Sequence, residues 1–115
     1  MLTGWDNNPR SNMPDYYEQV CGVLTGETNA ALGAFERNDF AAWQPDIVVV
    51  NLGTNDGGAF HSPEWIDEAT GERRKQRLND DGTFNAEDLA AFERAAERFL
   101  VKLRACNPKA HIVWA

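Results

Sequence analysis

This sequence of 115 residues has little cysteine, little histidine and few basic residues. Lys and Arg total 11 against 18 Asp and Glu, which gives a formal net charge of -7. The field of such a chain repels phosphate backbones and anionic lipid headgroups. No apolar run approaches the roughly 20 residues that a membrane-spanning helix needs. We therefore expect neither a nucleic acid nor a membrane as partner.

The two cysteines, Cys21 and Cys106, lie far apart and show no metal-ligand spacing. No nucleotide-binding motif is present either, so the sequence predicts no metal and no cofactor. Each cysteine lies among apolar residues of a predicted helix, where a free thiol behaves as a small buried hydrophobe. We favour that interpretation over a disulfide, and the redox compartment stays open.

Composition and length indicate one folded domain or part of one. Hydrophobic residues make up 43% and charged residues 25%, close to the averages of globular proteins. The opening residues lack a basic region followed by an apolar stretch, so no targeting signal is visible. Because we expect the true amino terminus to lie upstream, a cytoplasmic and a secreted location both remain open.

Two apolar strands and a helix between them define the fold class. Residues 46–52 form a β-branched run without polar alternation, which predicts a strand buried on both faces. Asn85 can cap a helix that carries the apolar stripe Leu89, Phe92, Ala96, Phe99, Leu100 and Leu103 and ends at Asn107-Pro108. Residues 110–114 begin a second strand, and this order predicts an α/β fold with parallel strands.

The rest of the chain has weaker patterns. A helix of about ten residues is predicted from Met13-Pro14 to about residue 25, followed by short helical turns over 27–45. Residues 53–83 are predicted to be a long loop beside a site, with the charged run 72–75 as a solvated face. The sequence stops in an apolar strand, so we expect residues 1–115 to be an internal fragment of one domain. Exposed sheet edges would then favour a homo-oligomer.

The candidate site follows the first strand. In parallel sheets ligands bind beyond the carboxyl ends of the strands, where Gly53-Thr54-Asn55-Asp56 lies. Gly53 lets the backbone turn, and Asn55 can aim a side-chain N–H at a developing negative oxygen. Taken alone, Asn55-Asp56 is also compatible with a plain polar turn that bonds its own backbone.

A longer match favours the chemical interpretation. The stretch Pro45-Asp46-Ile47-Val48-Val49-Val50-Asn51-Leu52-Gly53-Thr54-Asn55-Asp56 resembles the Gly-x-Asn-Asp block of the SGNH (GDSL-like) hydrolases, and is similar to carbohydrate esterases that remove acetyl groups from sugars. The resemblance extends over about residues 13–114. It implies a three-layer αβα, flavodoxin-like SGNH fold, incomplete in this chain. It also implies that Asn55 is the oxyanion-hole donor, Gly53 the turn residue of the block and Asp56 a support of the loop.

The same resemblance shows what is missing. The family's nucleophile lies in a Gly-Asp-Ser block and its acid-base pair in Asp-x-x-His, and this chain has neither. Ser11 and Ser62 lack the context of a nucleophile, while His61 is interpreted as a surface residue and His111 as structural. The chain is therefore expected to be an inactive fragment of a serine esterase or lipase-like hydrolase that cleaves carbohydrate esters without a cofactor.

Two points stay open at the level of sequence. A non-catalytic α/β domain that serves as a binding or assembly module is the alternative to the esterase fragment. Substrate-binding residues are unknown: a sugar-binding face and burial in a core are both compatible with the aromatic residues Trp5, Trp65, Tyr16 and Tyr17.

Overall fold

The computed structural model describes residues 1–20 and 26–115. The elements in chain order are a 3-10 turn Trp5–Asn7, α1 Met13–Tyr16, α2 Glu27–Ala31, β1 Ile47–Val50, α3 Thr54–Ala59, β2 Trp65–Ile66, β3 Arg73–Arg74, α4 Ala86–Cys106 and β4 His111–Trp114. Strands β1 and β4 pair in parallel, from Ile47 opposite His111 to Val50 opposite Trp114. The predicted α/β class with a parallel sheet is confirmed.

Helix α4 begins and ends where local signals place it. The Asn85 side chain accepts a hydrogen bond from the Glu87 amide at 3.0 Å, which satisfies one of the first free N–H groups. Past the carboxyl end, the Arg104 guanidinium donates to the carbonyl oxygen of Ala110 at 2.7 Å. The predicted helix between the strands is confirmed, including its end before Asn107.

The core lies between α4 and the sheet. Its buried members are Leu2, Val50, Ala95, Phe99 and Leu103. Residues 95, 99 and 103 follow one another at four-residue spacing and so share one face of α4. The predicted stripe was wrong at two positions: Leu89 is 41% and Leu100 38% exposed, because both lie to the side of this face.

We expect Phe99→Ala to lower the free energy of unfolding by about 3–5 kcal/mol, because it leaves a cavity in the core. Its neighbour Leu100 is the matched control. Since Leu100 is already 38% exposed, Leu100→Ala should cost far less than Phe99→Ala. Urea unfolding followed by circular dichroism measures both, and equal losses would contradict this assignment of the core.

Strand β1 is covered on one face only, so the prediction of a strand buried on both faces was wrong. Val50 is 5% exposed, whereas Ile47 is 61% and Val49 is 63% exposed. Side chains alternate between the faces of a strand, and α4 packs on the face of Val50. Among the described residues, no element packs on the opposite face, which consists of Ile47, Val49, His111 and Val113. We call it the uncovered sheet face.

The helix predicted from Met13 to about residue 25 ends at Tyr16. Backbone pairing with the segment 36–38 replaces it: the Val20 amide donates to the carbonyl of Glu36 at 2.9 Å, and the Asn38 amide donates to that of Glu18 at 2.9 Å. These long-range bonds satisfy backbone groups that a helix would have used. The rest of the prediction, with Cys21, falls on residues outside the described part of the chain.

Residues 27–45 contain α2 followed by turns, in agreement with the prediction. The long loop predicted over 53–83 was wrong in two places, because it contains α3 and the antiparallel hairpin β2–β3. The charged run at 72–75 forms part of that hairpin, and Arg73 and Arg74 are exposed. In the described part of the chain, no helix has both the length and the hydropathy required for crossing a membrane.

Candidate functional site

The site is built where β1 ends and α3 begins. Gly53 connects them with φ 124° and ψ -36°, a conformation that side-chain-bearing residues rarely adopt. A Cβ at this position would lie 3.5 Å from the Phe92 ring, an ordinary contact. Glycine is therefore required here by the backbone conformation and not by lack of space. The turn at Gly53 places Asn55 just past the carboxyl end of β1.

Asn55 is exposed, and its side chain has no hydrogen bond to any described residue. It lines a cavity of about 180 Å³ together with Met1, Trp5, Asp6, Thr54, Gly58 and Ser62. A plain polar turn would bond the asparagine side chain to nearby backbone, and no such bond is present in the described residues. The amide is therefore available to a ligand in this cavity.

Asp56 points away from the cavity and is buried, with 2% of its surface exposed. Its carboxylate accepts the Leu2 amide at 2.9 and 3.0 Å, the Thr3 amide at 2.8 Å and the Thr3 hydroxyl at 2.8 Å. A buried charge of this kind is stable only with several donors around it. Asp56 thus joins the first residues of the chain to α3, next to Asn55.

The loop that follows, residues 4–12, brings Trp5 and Asp6 to the cavity. Gly4 begins it with φ 127°, and a Cβ there would lie 2.0 Å from the carbonyl oxygen of Asn8. Asp6 and Asn7 also have positive φ, 45° and 64°. Left-handed backbone outside glycine is uncommon and requires support from surrounding contacts.

Asn7 supplies that support. Its side-chain Nδ2 donates to the backbone carbonyl oxygens of Ala59 at 3.1 Å and Pro63 at 2.9 Å. Its side-chain Oδ1 accepts a hydrogen bond from the backbone amide of Gln76 at 3.0 Å. These buried bonds join the loop to the end of α3 and to the segment after β3. Asn7 and Gln76 were not among the predicted site residues, because partners this far apart in sequence leave no local signal.

Ser62 also lies in the cavity of Asn55, which the sequence did not predict. Its hydroxyl donates to the Asp6 carboxylate at 3.2 Å. His61 is exposed, and His111 opens β4 at the opposite end of the strand pair from Gly53. Within the described residues, no histidine bonds a serine, so no nucleophile–base pair is formed there.

The four aromatic residues left unassigned by the sequence separate into two pairs. Trp5 is 56% exposed and lines both the cavity of Asn55 and an adjacent apolar cleft of about 360 Å³ that Tyr16 also lines. Tyr17 stacks on Phe40 with a centroid distance of 5.3 Å. Trp65 lies under the Arg10 guanidinium at 5.6 Å. Only Trp5 and Tyr16 therefore lie beside the candidate site.

Comparison with known proteins connects this geometry to a chemistry. Neither a protein-family model nor a curated protein matches the sequence. The solved structure of an acetyl xylan esterase from the rumen bacterium Butyrivibrio proteoclasticus is similar, with 50% sequence identity and a TM-score of 0.88 over 96% of this chain. The chain is related to a carbohydrate esterase. It spans 30% of the length of that esterase.

This similarity to an acetyl xylan esterase confirms the predicted resemblance to carbohydrate esterases. The finer assignments stay predictions: the SGNH group, the flavodoxin-like sheet order, and the roles of Gly53, Asn55 and Asp56. No cluster of His, Cys, Asp and Glu within residues 1–20 and 26–115 has the arrangement of a metal site.

Acid should weaken the hairpin β2–β3, which Asp67 supports. The Ala69 amide, at 2.9 Å, together with Thr70 and Arg10, holds the pKa of Asp67 below its ordinary value of 3.8. A lowered pKa in the folded state stabilises the fold above the unfolded-state value, and this contribution is lost as pH falls through the folded pKa. We expect the melting temperature to decrease when the pH is lowered below about 4. In Asp67→Asn this acid-induced decrease in melting temperature should be smaller.

Glu68→Gln is the matched control for this titration, because Glu68 is adjacent, exposed and without a hydrogen bond to any described residue. Thermal unfolding between pH 3 and pH 7 should show the same acid dependence for Glu68→Gln and the original chain. An Asp67→Asn variant with unchanged acid dependence would exclude Asp67 as the group responsible.

Proposed function

We propose that this chain is part of a serine-type carboxylic ester hydrolase of the SGNH group that acts on acetyl esters of carbohydrates. The observation that carries the proposal is the Asn55 side chain. It follows a parallel strand, bonds no described residue, and faces a cavity bordered by Trp5 and Asp6. The relative of known structure is an acetyl xylan esterase, which supports an acetylated sugar as substrate.

In the proposed reaction Asn55 stabilises the transition state. Attack of a serine hydroxyl on the acetyl carbonyl places negative charge on the carbonyl oxygen. The Asn55 Nδ2–H, together with backbone N–H groups, donates to that oxygen. The ester C–O bond then breaks, and the sugar leaves as a hydroxyl that takes up the proton given by the serine through the acid–base pair. Water hydrolyses the acetyl-serine that remains, which releases acetate and returns the proton to the serine. A donor already held in place needs no reorganisation when charge develops, which is why such groups contribute strongly to rate.

Trp5 supplies the proposed contact for the sugar. It lies between the cavity of Asn55 and the apolar cleft lined by Met13 and Tyr16. A broad ring exposed on one side can pack on the apolar face of a sugar while the acetyl group enters the smaller cavity. This division places the acyl group and the alcohol on opposite sides of Trp5.

The nucleophile and its acid-base pair are proposed to come from outside these residues. Ser62 bonds Asp6 rather than a histidine, and Ser11 lies in the loop 4–12 with its carbonyl oxygen bonded to the Trp5 amide at 2.8 Å. The chain by itself is then inactive, because an oxyanion donor without a nucleophile gives no covalent intermediate.

Hydrolysis of p-nitrophenyl acetate and of acetylated xylo-oligosaccharides tests the proposal. The 115-residue chain should release no acetate, whereas the full product of its parent gene should hydrolyse both. Turnover by the short chain would place the nucleophile inside it. If neither protein is active, ester hydrolysis is excluded and the alternative of a binding or assembly module replaces it.

Self-association is the remaining part of the proposal. The uncovered sheet face carries Val49 at 63% and Val113 at 49% exposure, and apolar surface of this kind favours pairing with another copy. Light scattering should show a dimer or larger species for the 115-residue chain. Val49→Lys should shift it toward monomer, and Leu32→Lys, at a residue 79% exposed at the end of α2, should not. A monomer at all concentrations would contradict this.

A further inference from the structure

Three arginines of this chain have no bonded acceptor within the described residues. The sequence contains eight arginines. Those with a carboxylate or carbonyl partner are Arg10, Arg37, Arg73, Arg77 and Arg104. The others are Arg74, Arg94 and Arg98, for which the described part of the chain offers no hydrogen bond and no salt bridge. Unpaired guanidinium groups retain all their donors for a ligand.

All three line one cavity of about 360 Å³ between β3, α4 and the amino-terminal segment. Arg94 and Arg98 lie one turn apart on α4 and therefore point to the same side. Ala91 and Ala95 also line the cavity, and their small side chains leave space beside the two guanidinium groups. Arg74 reaches the same space from the hairpin. We call this cavity, with its three arginines, the arginine pocket.

The charge of the arginine pocket is opposite to that of the chain. The net charge of the chain is -7, yet among the residues that the structure describes Asp15 is the one acidic residue that lines the pocket with the three arginines. The Asp15 carboxylate accepts the Asn12 side-chain amide at 2.6 Å rather than a guanidinium. Arg74 also interacts electrostatically with Asp88, which does not line the cavity. Three like charges brought together without bonded carboxylates favour an external anion.

We propose that the arginine pocket binds an anionic group carried by a small carbohydrate, either the carboxylate of a uronic acid or a sugar phosphate. The guanidinium fork presents parallel N–H donors that match the oxygens of both groups. That the anion is carried by a sugar rests on the proposed function. The anion chemistry itself rests on the three arginines, and the pocket is separate from the cavity of Asn55.

Titration of the 115-residue chain tests binding without ester turnover. Glucuronate, glucose 6-phosphate and neutral glucose are added in parallel while amide chemical shifts are followed. Either anion should shift the amides of residues 91–98, and glucose at the same concentration should not. A response to glucuronate alone identifies the carboxylate, and a response to the phosphate alone identifies the phosphate. No shift with either anion, or equal shifts with glucose, overturns the proposal.

Variants separate the pocket from general attraction. Arg94→Gln and Arg98→Gln should each weaken anion binding about tenfold, because each removes a charged hydrogen-bond donor. Lys109→Gln removes the same charge from an exposed turn and should leave binding unchanged. Equal weakening by Lys109→Gln would contradict a pocket. Since Arg94, Arg98 and Lys109 are all exposed, the three variants should fold. Unchanged melting temperatures would confirm this. If the full product of the parent gene hydrolyses no acetyl ester while the 115-residue chain still binds the anion, the proposed function is contradicted and the anion site is not.

Discussion

We expect Asn55→Ala to lower kcat for acetyl ester hydrolysis by roughly a hundred- to a thousandfold in the full product of the parent gene, because the substitution removes the proposed side-chain donor to the oxyanion. This corresponds to about 2.7–4 kcal/mol of transition-state stabilisation. KM should change little, since the bond strengthens only when charge develops on the substrate oxygen. Steady-state kinetics with p-nitrophenyl acetate measures both constants.

Thr54→Ala is the control for this prediction. Thr54 lines the same cavity, and both Thr54 and Asn55 are exposed without hydrogen bonds from their side chains to described residues. Neither substitution should change the melting temperature by more than a surface change does. If Asn55→Ala leaves kcat within threefold of the original while Thr54→Ala does the same, Asn55 is not the oxyanion donor. A large loss of stability with unchanged kcat would indicate the polar-turn role.

Asp56→Ala should lower the free energy of unfolding by about 3–5 kcal/mol. The substitution leaves the amides of Leu2 and Thr3 without their acceptor in a buried site, and each unsatisfied donor costs about 1–3 kcal/mol. Asp56→Asn keeps the shape and one acceptor oxygen, so its effect should be smaller. Urea unfolding of the 115-residue chain measures the loss.

A second readout distinguishes the loss of the Asp56 hydrogen bonds from general destabilisation. Hydrogen exchange at the amides of Leu2 and Thr3 should accelerate in Asp56→Ala even under conditions where the core of α4 stays protected. Asp80→Ala is the matched control, because Asp80 is exposed and has no hydrogen bond to any described residue. Uniform acceleration over the chain, or an Asp80→Ala effect of equal size, would contradict a local role for Asp56.

The parts of the fold that the sequence predicted are those with local causes. Helix α4 was predicted from its cap at Asn85 and from the spacing of Phe99 and Leu103, all contained within the helix itself. The parallel pair followed from element order, since a strand, a helix and a strand connect most simply in that way. The turn after β1 was predicted from Gly53, whose positive φ few other residues adopt.

The errors have long-range causes. Beyond Tyr16 the predicted helix is absent, because residues 18–20 pair with residues 36–38 instead. The periodicity of neither segment reveals this pairing. The face of β1 that carries Ile47 and Val49 was predicted to be buried because its residues are apolar, but burial depends on a covering element. Composition reports a tendency to be buried and cannot report what lies opposite.

For the site, the sequence by itself determined the residue types Gly53, Asn55 and Asp56 and their place after an apolar strand. The resemblance to carbohydrate esterases also came from the sequence, and a relative of known structure supports it. Only the tertiary structure decided which groups surround them. Asp56 meets Leu2 and Asn7 meets Gln76 across separations of 54 and 69 residues. The arginine pocket gathers side chains from β3 and α4 in the same way. Contacts between distant segments depend on packing, which no local pattern encodes.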